Sequence, residues 1–427
     1  MFRRRASDRV EGLTLGLSPA LLGATLVVGI GSGAVGAGYL LAIHLLQHAL
    51  APQHFSAAAE FAVLGGVGVA VTLIARVIGS PGDVELLVDN IHVSGGAPTV
   101  RSLRSLIPMS VLTISAGAGA GPEAPLVTTC GTLASWLARI RRLNATETRC
   151  LTIAGMAAAF AVLFGAPIGS AFFALEILHR RGMQYHEALV PALVGALSGY
   201  ACSVVLTGTG VKPVWTIPAV GSLRSVDFLW AIGAGVGGAL VAVVFTYLVL
   251  GLRRAFMLAP SAARPVAGGL ALAALALWSP YALTFGEQQT GHVLQHPLLV
   301  SVLVVALIAK LLSASVTVAS GWPGGFIIPL FFMGATLGEL THHGFGDART
   351  GIVVAAFMAA TNVGVTKTLL GSTLVVTEMG GMRLLPTTLL AALVAMMLTS
   401  FVGLIESQRE RTPMDPNAVD EDSDERT

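Results

Sequence analysis

Apolar residues run along most of this chain in long blocks, which short clusters of Gly, Pro and charged residues interrupt. Several blocks are shorter than the roughly 20 residues that an α-helix needs to cross a bilayer. Broken or re-entrant helices that meet near the membrane midplane would explain them. The pattern predicts an all-α integral membrane protein of tilted, broken and re-entrant helices, with apolar segments near 13–50, 57–78, 104–116, 123–140, 148–164, 168–179, 187–208, 226–251, 266–284, 297–319, 326–341, 349–361, 369–379 and 384–405.

The two halves of the chain show the same order of features at a nearly constant offset. Ala124–Leu126 corresponds to Ile328–Leu330 and Gly131–Leu133 to Ala335–Leu337, while Gly169–Glu176 corresponds to Gly371–Glu378. A loose third match pairs the predicted polar turn at 79–82 with one at 286–291. We therefore expect two inverted repeats, with a substrate site where they meet.

The expected repeats cover residues 13–215 and 216–405, between two charged ends. Residues 1–12 are basic, which predicts a cytoplasmic N-terminus by the positive-inside rule. Residues 406–427 are charged and lack apolar periodicity, so they predict a disordered cytoplasmic tail.

Composition supports a membrane protein and argues against other classes. Hydrophobic residues make up 54% and charged residues 11% of the chain, and the mean hydropathy is +0.78. Soluble domains carry about 25% charged residues. A net charge of +2 with no basic patch gives no reason to expect nucleic acid. The three cysteines lack paired spacing, so we expect neither disulfides nor a metal site.

Glu123 is the only charged residue between Arg104 and Arg139. A charge at membrane depth costs at least about 2.5–3.5 kcal/mol, so such a group usually binds, gates or carries protons. The alternative is a first-turn carboxylate that only complements a helix dipole. We take Glu123 as the centre of a transport mechanism.

Three short segments stand in the order of the anion-site signatures of the CLC chloride channels and transporters. They are Gly79–Asp83, Gly121–Pro125 and Gly324–Pro329, where the family typically has GSGIP, G(K/R)EGP and GxFxP. The chain resembles this family from about residue 15 to residue 405. The resemblance implies the CLC fold, a location in the cell (inner or plasma) membrane, and a homodimer in which each subunit has its own anion path.

The resemblance also implies roles for individual residues. Ser80 would donate its hydroxyl to a central anion, although a turn-capping serine is the alternative. Ala124, Phe326 and Ile327 would complete the anion-binding positions at two helix starts. Glu123 would occupy the outer anion position and leave it when protonated, which makes it the gating and proton-carrying residue.

Five positions depart from the family pattern. Pro122 replaces a Lys or Arg, Ala124 replaces a Gly, and Ile327 stands at the usual Phe position, which predicts the loss of an aromatic pore wall. Ile177 replaces the internal proton-pathway glutamate, which leaves either a water wire or no proton coupling. Ile405 stands where the inner-gate tyrosine is expected.

Other polar residues in apolar segments have simpler interpretations. We expect Glu176 and Glu378, at equivalent helix ends, to be structural partners of buried amides or Arg side chains. His92 and His342–His343 lack ligand spacing and predict surface or interfacial positions. Lys367 either attracts anions in a vestibule or extends to the membrane interface.

The leading functional hypothesis is proton-coupled chloride antiport, with chloride, protons and the lipid membrane as partners and no cofactor. The alternatives are a passive voltage- or pH-gated chloride channel and a variant for nitrate or fluoride. A membrane-embedded hydrolase is disfavoured, because Ser320–Gly321 lacks the Gly-x-Ser-Gly context of a nucleophile.

Overall fold

The structure is a computed structural model that describes residues 19–50, 56–81, 84–97, 99–180 and 183–408. The expected N-terminal segment 1–12, the tail beyond residue 408 and Gly82–Asp83 of the first signature lie outside the described residues. Sixteen α-helices occur in the described part: α1 Pro19–Leu50, α2 Ala57–Val77, α3 Val84–Ser94, α4 Leu103–Ser115, α5 Glu123–Ile140, α6 Ala145–Phe164, α7 Pro167–Glu176, α8 Leu189–Thr207, α9 Ser225–Met257, α10 Arg264–Trp278, α11 Glu287–Gln295, α12 Val300–Ala319, α13 Ile327–Gly344, α14 Thr350–Thr366, α15 Leu369–Gly380 and α16 Leu385–Leu398.

The helices confirm the all-α membrane architecture. In the described part of the chain, α1, α2, α6, α8, α9 and α12 are long and apolar enough to cross a membrane. The other helices are shorter or less apolar, as expected for segments that enter a membrane without crossing it alone.

Helices α1–α8 and α9–α16 form two repeats with the same order of elements. α1 and α9 have 32 and 33 residues, and α5 and α13 have 18 each. In the first repeat α6 packs against α1, α5, α7 and α8, and in the second α14 packs against α9, α13, α15 and α16. The predicted division at residues 215 and 216 falls between α8 and α9.

The central helices α6 and α14 are buried on nearly all faces because their sequences are rich in alanine and other small residues. The start of α6 is fixed by a capping box, in which the Glu147 N–H donates to Asn144 Oδ1 (2.8 Å) and the Asn144 N–H donates to Glu147 Oε2 (3.2 Å). Gly165, with φ of 64°, ends the helix. Helices α6 and α14 therefore form the buried centres of the two repeats, and the neighbouring helices pack against them.

Helices α7 and α15 cross so that the carboxylate of each caps the start of the other. Glu176 accepts the N–H groups of Leu370 (3.1 Å) and Gly371 (2.8 Å). Reciprocally, Glu378 accepts those of Ile168 (3.3 Å) and Gly169 (2.5 Å). The prediction that both glutamates are structural partners of backbone amides is confirmed.

Short helices lie at both predicted turns. One of them replaces its turn, and the other follows its turn. The segment 286–291 was expected as a polar turn, but α11 begins at Glu287, directly after Gly286 with φ of 100°. On the first repeat's side, Gly79 has a φ of 118° and α3 begins at Val84. Both helices are short, with 11 and 9 residues, and polar or charged residues interrupt their apolar positions, so the apolar pattern did not indicate them.

Both interpretations of Lys367 are wrong. This residue is 2% exposed, and its ammonium donates to Gly364 O (2.7 Å), Thr399 O (2.6 Å) and Thr399 Oγ1 (2.8 Å). It ties the end of α14 to the end of α16. Lys310 is also buried and donates to Leu283 O and Thr284 O at 3.2 and 2.5 Å.

His92 is buried, so the prediction of a surface or interfacial position is wrong for it. Its Nδ1 lies 2.7 Å from the Tyr185 hydroxyl and its Nε2 lies 3.0 Å from Leu178 O. The His179 ring packs edge-on at 5.2 Å between centroids. His343 is exposed and His342 is half-buried, as predicted for that pair.

We predict that Glu176→Ala destabilises the protein, because the N–H groups of Leu370 and Gly371 lose their acceptor. A buried unsatisfied amide costs about 1–3 kcal/mol, so the melting temperature of the detergent-solubilised protein should fall by several degrees. Glu176→Gln keeps an acceptor oxygen, so its melting temperature should fall by less. The exposed Glu406 supplies the control Glu406→Ala, and equal melting temperatures for all variants would contradict the capping role.

Candidate functional site

Two helix starts, those of α5 and α13, are joined by their backbones. Gly121 N donates to Gly325 O and Gly325 N donates to Gly121 O, both at 2.7 Å. These glycines occupy equivalent positions in the two repeats, so the bridge lies where the repeats meet. It brings together two helix N-termini, which carry free N–H groups and partial positive charge.

Only glycine fits at both positions of this bridge. A Cβ atom on Gly121 would lie 2.1 Å from Glu123 Oε2. One on Gly325 would lie 2.8 Å from the same oxygen and 2.9 Å from Ala124 N. The glycines therefore let the Glu123 carboxylate lie against the backbone of the opposite repeat.

Glu123 is fully buried, and its carboxylate lies at the start of α13. Its Oε1 accepts the N–H of Ile328, the second residue of that helix. Its Oε2 is buried and accepts no hydrogen bond from the described residues. A carboxylate at a helix N-terminus occupies the kind of site that also binds a free anion. The Ile328 donor follows Phe326 and Ile327 directly in the chain, and binding of a central anion by the N–H groups of those two residues stays a prediction.

A cavity of about 240 Å³ lies beside this pair of helix starts. Its lining includes three of the predicted anion-binding residues, Ala124, Phe326 and Ile327. Ile177 and Ile405, the positions of the absent internal glutamate and inner-gate tyrosine, line it too. All five positions therefore line the same cavity.

Ser80 lies apart from them. Its neighbour Pro81 lines the cavity, but Ser80 itself is exposed. Its carbonyl oxygen accepts a hydrogen bond from Ser105 Oγ at 3.3 Å. An anion-binding role for Ser80 stays a prediction.

An aromatic side chain still lines the cavity, although Ile327 stands at the usual Phe position. Phe326 supplies it and packs against Phe245, with ring centroids 5.9 Å apart. The expected loss of an aromatic wall is therefore wrong for this cavity, because the preceding residue contributes the ring.

Sequence reasoning missed two further polar residues near the site. Asn362 is fully buried on α14, where Nδ2 donates to Ile327 O at 3.0 Å and fixes the start of α13. A single Asn within an apolar helix was the available signal. Glu287, the first residue of α11, interacts electrostatically with Glu123 and with His44. The sequence pattern does not single out Glu287, because it predicts a turn where α11 lies.

The backbone at Ile177 is covered by an amide side chain. Gln408 is 7% exposed, and its Nε2 donates to Ile177 O at 3.0 Å and to Thr366 O at 2.7 Å. The position expected to carry a proton-pathway carboxylate thus has an apolar side chain and a neutral hydrogen-bonded neighbour.

These features coincide with a family assignment. The family model described as voltage gated chloride channel matches residues 67–400, which include all three signatures. The chain belongs to this family. Its two helix starts and the buried Glu123 are thus features of a chloride channel family member.

Individual relatives agree with this assignment. A chloride/fluoride channel protein of Pseudomonas syringae pv. tomato is 30% identical, over 80% of this chain and 76% of the relative. A voltage-gated ClC-type chloride channel, ClcB, of Citrobacter koseri is 29% identical, over 71% of this chain and 73% of the relative.

Solved structures show the same fold. The crystal structure of a CLC-type fluoride/proton antiporter matches with a TM-score of 0.81 and 26% identity, over 91% of this chain and 98% of the other. A slow cyanobacterial Cl−/H+ antiporter matches with a TM-score of 0.80 over 90% of this chain and 95% of the other, and its 19% identity speaks for the fold alone.

We predict that Gly325→Ala reduces anion flux at least about tenfold, since the added methyl group would displace Glu123 or separate the paired helix starts. Chloride efflux from liposomes containing the purified variant measures this. Gly346→Ala is the matched control, because a Cβ there has no neighbouring atom within 4 Å. Wild-type flux in Gly325→Ala would show that the close approach is not needed.

Proposed function

We propose that this protein exchanges chloride for protons across a cell membrane, with Glu123 as both gate and proton carrier. The supporting observation is the contact between the buried Glu123 carboxylate and the Ile328 N–H at the start of α13. This N–H group can be held by a carboxylate or by a halide, but not by both at once.

The competition links the two ions. A proton that reaches Glu123 removes its negative charge and weakens its hold on the positive helix terminus. The side chain then leaves and an anion takes its position. When the anion departs, the deprotonated carboxylate returns, so anion and proton movements alternate.

The proton needs a route that does not depend on a carboxylate at Ile177. The cavity of about 240 Å³ reaches both Ile177 and the start of α5 at Ala124. A water molecule takes up about 30 Å³ in the liquid, so the cavity has room for several. Water in this cavity is the proton path that we propose between one side of the membrane and Glu123.

A passive channel and a fluoride-carrying variant are the second candidates. The observation that favours a fluoride variant is the exposed position of Ser80, away from the cavity lining. Two of the relatives, the chloride/fluoride channel protein and the fluoride/proton antiporter, are named for that ion. Fluoride is therefore tested beside chloride.

We further propose a homodimer in the cell (inner or plasma) membrane with both termini in the cytoplasm. The basic residues at positions 3–5 support this orientation by the positive-inside rule. The dimer is supported by the family resemblance.

The testing experiment uses the purified protein in liposomes under a chloride gradient, with chloride and proton movement followed together. We expect chloride to drive protons uphill and flux to rise as the pH falls, because more Glu123 is protonated. In Glu123→Gln, which cannot ionise, proton pumping should vanish, and the remaining chloride flux should be insensitive to pH.

Glu406→Gln, which removes an exposed carboxylate, is the control and should pump protons like the wild type. Chloride flux without proton pumping in the wild type would indicate a channel. Flux of fluoride but not chloride would indicate the fluoride variant. No flux of either halide would overturn the proposal.

A further inference from the structure

The cavity beside the anion site has one charged pair in its wall. Glu85 on α3 and Arg253 near the end of α9 both line it, and Arg253 Nη2 lies 3.8 Å from Glu85 Oε1. All other lining residues in the described part of the chain are uncharged. Arg253 is therefore the one cationic side chain that an anion in this cavity can meet.

The pair joins the two repeats across the cavity. Helix α3 belongs to the first repeat and α9 to the second, and the same cavity reaches Ala124, Phe326 and Ile327 at the two helix starts. An anion in this cavity therefore shares one space with the pair and with the two helix starts.

The ion pair is weak enough for an anion to compete with it. The two side chains are 35% (Glu85) and 33% (Arg253) exposed, and 3.8 Å exceeds the length of a hydrogen bond. Water screens such a pair, and exposed pairs shift an equilibrium by a factor of about two to five. Separating Glu85 from the guanidinium therefore costs an arriving anion little.

We propose that Arg253 is an anion-docking residue of the transport path and that Glu85 competes with the anion for it. This deepens the proposed function and rests on it, since it assumes that the cavity carries the anion. The guanidinium holds an arriving anion before the helix starts do. Glu85 occupies the guanidinium when no anion is present, so the cavity wall is charge-neutral at rest.

Arginine suits this task better than the other lining groups. Its planar, permanently charged guanidinium offers several N–H donors to an anion. Ile405, at the position expected to close the cavity, has no donor to offer. Thr128 adds a neutral hydroxyl to the lining, so among the described lining residues Arg253 is the one charged donor for an anion.

The test measures the chloride dependence of flux in liposomes for three single variants, one double variant and one control. Arg253→Gln should raise the apparent KM for chloride about three- to tenfold, and Arg253→Lys should raise it less. Glu85→Gln should lower the KM by a factor of about two to five, because the anion no longer displaces a carboxylate. The maximal rate should change less than about twofold, since Glu123 and the helix starts are intact.

The double variant Glu85→Gln/Arg253→Gln separates this mechanism from general electrostatics. If Glu85 acts through Arg253, the double variant has the KM of Arg253→Gln alone. If Glu85 merely repels anions from the cavity, its removal lowers the KM equally in both backgrounds, which would overturn the proposal.

Arg254→Gln is the matched control, because Arg254 is the exposed neighbour on the same helix and does not line the cavity. It should leave the KM unchanged. An unchanged KM in Arg253→Gln, with normal flux in the wild type, would overturn this inference and leave the proposed function intact. Absence of halide flux in the wild type would overturn both.

Discussion

The backbone pairing of Gly121 with Gly325 is the constraint on which the site depends. Two helix N-termini with like partial charges repel each other, so something must hold them together. The paired backbones do so through two hydrogen bonds of 2.7 Å, and the Glu123 carboxylate lies between the termini as the neutralising charge. Because glycine has no Cβ, the carboxylate can reach the Ile328 N–H of the opposite repeat.

Much of the fold could be predicted from the sequence because burial in a membrane demands apolar residues. The long segments, the two repeats and the importance of Glu123 all follow from where charge is absent or present. Helices α3 and α11 could not be predicted this way. Each is short and mixes polar and charged residues with its apolar ones. The few apolar side chains that each buries, such as Leu87 and Ile91 on α3 and Val293 on α11, pack against other helices, so the stability of both depends on tertiary packing.

The contacts of the site were less predictable, since they join residues far apart in the chain. Lys367 looked like an exposed or vestibular cation, but Thr399 supplies two of its three acceptors, and no local pattern indicates such a partner. The sequence indicated anion-binding N–H groups at Phe326 and Ile327 but no donor to Glu123, and in the structure that donor is Ile328. A family motif indicates roughly where a helix begins. Which N–H group at that start faces the carboxylate depends on how the helix packs, and the motif does not show this.

Glu123, Glu176 and Glu378 each accept backbone N–H groups at the start of another helix in the described part of the chain, but their surroundings differ. Glu123 and Glu176 are buried, and Glu378 is half-buried. Glu176 and Glu378 each accept two backbone N–H groups. Between their helices, a Cβ on Gly371 would lie 2.4 Å from Phe173 Cα, so no space is left for an anion. Glu123 accepts Ile328 N–H while its second oxygen has no partner among the described residues, and a cavity begins at the next residue. A carboxylate with fewer hydrogen bonds and an adjacent cavity loses less free energy when it moves away from the start of the opposite helix. Exchange with an anion requires this property.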